Sequence, residues 1–226
     1  MKLPIENRRV AGDQLAEALA DYRGRSDVIV LALPRGGVPV AYQIARTLGV
    51  ALDIVLVRKL GTPGQRELAM GALASGGARV LNEDIVAGLD ISDEVIEQTV
   101  AEEQRELERR EQAYRGDRPR PDIAGRAVIL VDDGLATGAT MRAAVAALRS
   151  QQPARLVAAV PVAPAQTIAG LRREVDEVIC LETPEPFMAI GQWYRDFGQV
   201  SDTEVRTLLQ SAWQAQAQTQ DRSGAG

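Results

Sequence analysis

Short runs of aliphatic residues that alternate with stretches of helical spacing constrain this chain more than any other feature. Asp27-Val-Ile-Val-Leu-Ala-Leu33, Leu52-Asp-Ile-Val-Leu-Val57, Ala127 to Val131, Arg155 to Pro161 and Glu177 to Leu181 are too short for independent helices. They are also too continuously apolar for strands that face water on one side, so they read as strands covered on both faces. Between them, Val38 to Leu48, Ala139 to Leu148 and Ala165 to Arg173 carry apolar residues at helical spacing, the first stopping at Gly49. Strands alternating with helices predict an α/β fold built on a mostly parallel sheet flanked by helices.

The rest of the chain decorates that core. Asp13 to Tyr22 has the spacing of a short amphipathic helix, and Leu68 to Ala74 and Ala78 to Leu81 flank Ser75-Gly76-Gly77 as the arms of a hairpin. Ser92 to about Arg115 is strongly charged; Ser92 is placed to cap it, and Ile96, Val100, Leu107 and Tyr114 form a thin apolar seam. It predicts a long, largely solvated helix whose seam packs on this chain or on a second copy of it, which leaves a homodimer open. Gly116 to Asp122 breaks that helix, and Asp202 to Trp213 reads as a closing helix. The polar residues after Gln214 predict a disordered tail at 216–226. The plan is one domain over 1–215, with its core at about 27–81 and 123–182 and a helical insertion at about 83–122.

Composition removes several classes of function. The 226 residues contain no histidine and one cysteine, so histidine-based triads, the common zinc sites and an internal disulfide are excluded. Cys180 lies in the apolar run Glu177 to Leu181 and reads as a structural thiol. A net charge of -5 makes nucleic acid a poor partner. No apolar stretch is long enough to span a bilayer and the start of the chain lacks a signal-peptide core, so the expectation is a cytoplasmic protein.

The chemistry is concentrated in Val128-Ile-Leu-Val-Asp-Asp-Gly-Leu-Ala-Thr-Gly-Ala-Thr140. A strand through Val131 puts Asp132 and Asp133 at its carboxyl end, where open parallel sheets bind ligands. Two adjacent carboxylates there are costly unless hydroxyls or a hydrated magnesium ion meet them. Thr137-Gly-Ala-Thr140 then leads into a helix, so the backbone amides of a glycine turn and a helix start converge on one anion, with two threonine hydroxyls as further donors. A diol grip and a phosphate cradle on one loop describe a ribose 5-phosphate. No Gly-x-x-x-x-Gly-Lys and no Gly-x-Gly-x-x-Gly after a strand is present, which removes the common triphosphate and dinucleotide motifs.

In order and spacing this segment resembles the signature of the type I phosphoribosyltransferases, here of a kind that carries a helical insertion. The resemblance implies a Rossmann-like core with a small hood. It also implies that 5-phosphoribosyl-1-pyrophosphate (PRPP) is the donor and magnesium the metal, with Asp132 and Asp133 on the ribose hydroxyls and able to meet the metal through water. Ala136, Thr137, Gly138, Ala139 and Thr140 would take the 5-phosphate. Gly134 departs mildly from the pattern, which more often has a side chain there.

Two further loops agree with the resemblance. Leu33-Pro-Arg-Gly-Gly37 joins the first core strand to a helix, and by resemblance Arg35, Gly36 and Gly37 bind pyrophosphate. Val57-Arg58-Lys59 reads as the cationic end of the second core strand, followed by the polar loop Gly61 to Glu67. The resemblance gives Arg58 and Lys59 to pyrophosphate and catalysis, and gives the loop, with Arg66 and Glu67, to closure over the reacting centre. The hood would draw on the amino-terminal segment and 182–200, where Phe187, Trp193 and Tyr194 are placed to stack on a planar acceptor. The expected activity is transfer of 5-phosphoribosyl to a nitrogen acceptor, a nucleobase or related heterocycle, with nucleotide metabolism as its setting. The alternative is a non-catalytic PRPP-binding regulator.

Overall fold

The structure, a computed structural model, describes residues 3–62 and 64–223, and the side chains of all of these except 65–67 and 219–223. The main sheet is formed by β1 (Val28–Ala32), β2 (Ala51–Ile54), β6 (Ala127–Val131), β7 (Arg155–Val162) and β8 (Glu177–Glu182). It has the order β2-β1-β6-β7-β8, and every pairing in it is parallel. Alternate residues of β1 and β6 feed two cores. Val28, Val30, Ile129 and Val131 face one, with α1 (Arg8–Ala18), α2 (Gly37–Leu48) and α7 (Asp202–Ser223). Ile29, Leu31, Val128 and Leu130 face the other, with α5 (Ala139–Arg149) and α6 (Ala165–Leu171). This is the double burial that the continuous apolar runs imply.

The strand order fixes where a ligand can sit. From β1 the chain turns through α2 to β2 on one side, and from β6 through α5 to β7 on the other. The crevice between the carboxyl ends of β1 and β6 is therefore the topological switch point, where open α/β sheets bind ligands. Leu33 N–H donates to Val131 O at 2.9 Å and draws the two strand ends together. Gly49 closes α2 at φ 67°, as the sequence implies.

Three readings need correction. Val57 does not continue β2: the chain leaves the parallel sheet after Ile54, and Val57 opens β3 (Val57–Thr62) in a separate antiparallel sheet with β4 (Gln65–Ala74) and β5 (Arg79–Leu81). Ser75 makes the crossing, its hydroxyl accepting from Leu56 N–H at 3.0 Å. Of the loop expected at Gly61 to Glu67, residues 61–62 end β3 and 65–67 begin β4, and Thr62 pairs with Gln65. The closing helix continues past Trp213 to Ser223, through most of the expected tail, because its alanines and glutamines are good helix formers even where apolar content is low.

The charged helix α4 (Asp93–Arg115) packs on its own chain, with Ile96, Leu107 and Tyr114 in the first core. Ser92 precedes it without a side-chain capping bond to the helix. Arg115 anchors its far end, pairing with Asp53 of β2 at 2.9 Å and donating to Ile54 O at 3.0 Å. Burial pushes the Asp53 carboxyl up, against the opposing pull of Arg115. Tyr114 hydroxyl donates to Asp202 at 2.6 Å, tying α4 to α7; burial first and that acceptor second push the phenol up to about 12. No helix among the described residues is long and apolar enough to cross a membrane.

Candidate functional site

The loops after β1 and β6 meet because two glycines allow it. A Cβ on Gly36 would lie 2.0 Å from Asp133 Oδ2, and one on Gly37 would lie 2.6 Å from Val131 O and 3.0 Å from Asp132 Cα. Any side chain at 36 would therefore expel the Asp133 carboxylate. The Pro34–Arg35 peptide between β1 and these glycines is cis. Arg35 itself is half exposed, 3.8 Å from Asp202 at the start of α7.

Asp132 and Asp133 share an enclosed position beyond β6. Asp132 accepts from Asp133 N–H at 2.9 Å. Burial, followed by the neighbouring Asp133 carboxylate, holds the Asp132 pKa well above the ordinary range. Burial also raises Asp133, but there an arginine opposes it: Arg8 Nε donates to Asp133 Oδ2 at 2.8 Å. The Asp133 carbonyl accepts from Tyr194 hydroxyl at 2.7 Å. A cavity of about 370 Å³ beside this pair is lined by Arg8, Arg35, Asp133, Phe197 and Gln199.

Ala136, Thr137, Ala139 and Thr140 are exposed around the start of α5. Gly138 is the N-cap, at φ 75°, a conformation that favours glycine. The first intrahelical bond there is from Arg142 N–H to Gly138 O at 2.9 Å, so the amides ahead of it have no acceptor within the helix. Thr167 of α6 pins the loop by donating to Ala136 O at 2.8 Å. Gly134 also has a local reason, since a Cβ there would sit 2.6 Å from Ile190 Cγ2.

The remaining sequence candidates fall elsewhere. Arg58 is held by Glu103 of α4, Nε to Oε2 2.6 Å, on the face of β3 that also carries buried Leu60. Lys59 alternates to the opposite face and is exposed. Arg66 and Glu67 lie on β4, and their side chains are outside the described residues. Tyr194 is not a stacking platform: it is buried, its ring lies 4.9 Å from that of Phe197, and its hydroxyl is spent on Asp133. Phe187 and Trp193, 6.0 Å apart, pack with Tyr194 around Ile5, so this cluster anchors the amino-terminal segment. Arg8 is missed by sequence reasoning; it stands 125 positions from Asp133 with no motif around it.

The family model of the phosphoribosyl transferase domain matches residues 5–192, which contain both loops and both acids. The chain belongs to the phosphoribosyltransferase family. Two Mycobacterium tuberculosis proteins, of strains CDC 1551 and H37Rv, provisionally named as phosphoribosyl transferases, are each 45% identical over 212 residues. The match covers 94% of this chain and 47% of theirs, so the chain spans about half the length of these curated relatives. The crystal structure of TT1426 from Thermus thermophilus is 44% identical, with a TM-score of 0.82, covering 92% of this chain and 98% of that one.

Proposed function

We propose that this phosphoribosyltransferase moves 5-phosphoribosyl from PRPP to a nitrogen acceptor and releases pyrophosphate. The observation that carries the reading is the contact of the Pro34–Gly37 loop with Asp132 and Asp133, closed to the point that Gly36 has no room for a Cβ. A pyrophosphate loop and a diol-binding loop must meet in this way if one sugar is to span both.

In this reading the Asp132 and Asp133 carboxylates accept hydrogen bonds from the ribose 2- and 3-hydroxyls. The amides of 137–140 and the hydroxyls of Thr137 and Thr140 hold the 5-phosphate, with the start of α5 behind them. The acceptor nitrogen forms its bond to the anomeric carbon as the bond from that carbon to pyrophosphate breaks, the acceptor's N–H proton passes to solvent, and negative charge gathers on the leaving group. Arg35, the amides of Gly36 and Gly37, and Lys59 are assigned to that charge, as fixed electrostatic partners. Arg58 enters the assignment only if Glu103 releases it. Two adjacent carboxylates fit magnesium that is shared with substrate oxygens and water, and the metal would supply charge neutralisation on the pyrophosphate. The segment 182–200 and the amino terminus form the hood under which a planar heterocycle would sit.

The test is magnesium-dependent pyrophosphate release from PRPP across a panel of nucleobases and related nitrogen heterocycles. Release with at least one acceptor supports transfer. Binding of PRPP without release across the panel moves the chain to the class of PRPP-binding regulators.

A further inference from the structure

Arg8 and Arg9 open α1, a helix with no acidic residue in its first turn. A cation at a helix start opposes the helix dipole, so another interaction must hold Arg8 there. Its guanidinium makes three contacts at once. Nε donates to Asp133 Oδ2 at 2.8 Å, Nη1 donates to Gly198 O at 2.8 Å, and the group lies 3.9 Å from the centre of the Phe197 ring. Both members of the Arg8–Asp133 pair are largely buried, with side-chain exposures of 12% and 10%.

The segments that meet at Arg8 are already laced together. Ile5 N–H donates to Trp193 O at 2.8 Å, Arg195 N–H to Ile5 O at 2.7 Å and Asp196 N–H to Glu6 O at 3.0 Å. Arg8 extends this lacing by one link, to the acid that the proposed reaction gives to the ribose.

We propose that Arg8 is a positioning residue of the donor site, fixing the Asp133 carboxylate from the hood so that sugar site and hood assemble as one unit. The inference rests on the reading of this site as a PRPP site. Arg8 takes one Asp133 oxygen and leaves the other, with Asp132, to accept ribose hydroxyls. Gly36 closes on Oδ2, the same oxygen that Arg8 holds, so the placement of the carboxylate depends on Arg8 and on the 34–37 loop together. A lysine would keep the charge, but its compact ammonium could not make the forked contact with Asp133 and Gly198 or lie flat on Phe197.

The test is a double-mutant cycle on PRPP affinity, measured calorimetrically with magnesium on the full chain. Arg8→Ala is expected to weaken PRPP by about tenfold to a hundredfold, the weight of one hydrogen bond to a charged group. Arg8→Lys is expected to recover part of that loss. If Arg8 acts through Asp133, Arg8→Ala combined with Asp133→Asn binds within about twofold of Asp133→Asn alone, because the two residues share one interaction. Losses that multiply in the double variant overturn the inference and leave the PRPP site standing. Absence of PRPP binding by the wild-type chain overturns the site reading and this inference with it. Should Arg8→Ala melt below the assay temperature, Arg8→Lys and its double with Asp133→Asn carry the same comparison.

Discussion

Asp53 and Asp133 are both buried carboxylates, and each meets one arginine from a distant element. At Asp53 the charges balance: Asp53 and Glu111 face Arg115 and Arg120, and the Asp53–Arg115 pair is 4% exposed on either side. At Asp133 they do not. Asp132 and Asp133 stand together against Arg8, and Asp132 makes no arginine contact of its own among the described residues. A buried pair with matched partners has no further use for a ligand. A pair with one acid in excess, closed by two glycines and bordered by a cavity, leaves hydrogen-bonding capacity that a sugar diol can satisfy. The first is how the helix α4 is fastened to the sheet; the second is where the proposed chemistry is placed.

Breaking the balanced site should produce the largest effect on stability. Arg115→Ala leaves Asp53 and Glu111 without a buried cation and is expected to cost about 3–5 kcal/mol in chemical denaturation, while the folded fraction binds PRPP as before. A loss of PRPP affinity in the folded fraction would show that the two sites are not separate. Gly36→Ala should divide its effects the other way, with less on stability and more on binding. It forces Asp133 aside at an overpacking cost of about 1–3 kcal/mol, but PRPP affinity should fall by more than about tenfold.

Asp132→Asn sharpens the contrast, since it removes the excess acid. It is expected to abolish tight PRPP binding while stabilising the fold at neutral pH by about 0.5–2 kcal/mol. The sign follows from the raised pKa. The folded chain holds the Asp132 proton more tightly than the unfolded chain does, so the group favours folding below its ordinary value of 3.8 and loses that contribution as pH rises through the raised value. The advantage of Asn over Asp should therefore shrink as thermal melts are taken toward acid; a constant advantage would mean that charge is not its source. The smallest effect is expected at the half-exposed Arg58–Glu103 pair. Glu103→Ala should cost less than about 1 kcal/mol, and an increase in pyrophosphate release with it would place Arg58 in the reaction once freed.

The same contrast separates what the sequence makes legible from what it hides. Val128 to Thr140 can be read as the proposed donor site because strand, acids, glycine turn and helix start are contiguous in the chain. The parallel sheet is legible for a similar reason, since its strands are short apolar runs. Arg8 is hidden because its partner lies across the fold, and Asp53 with Arg115 is hidden in the same way. Arg58 is misplaced by the sequence because the apolar run Leu52 to Val57 shows no break, whereas the chain changes sheets at Val55 and Leu56, where Ser75 waits with a hydroxyl. The Tyr194 ring reads as available because aromatic composition does not reveal burial.

If the excess acid beyond β6 is a phosphoribosyl-donor site, titrating PRPP with magnesium into the wild-type chain and into Asp132→Asn will separate the two proteins. Saturable one-site binding by the wild type, weakened by more than about tenfold in the variant, is the predicted result, the loss of hydrogen bonds to a charged group being of that order. Equal affinity in the two proteins, or no binding by the wild type, would contradict it.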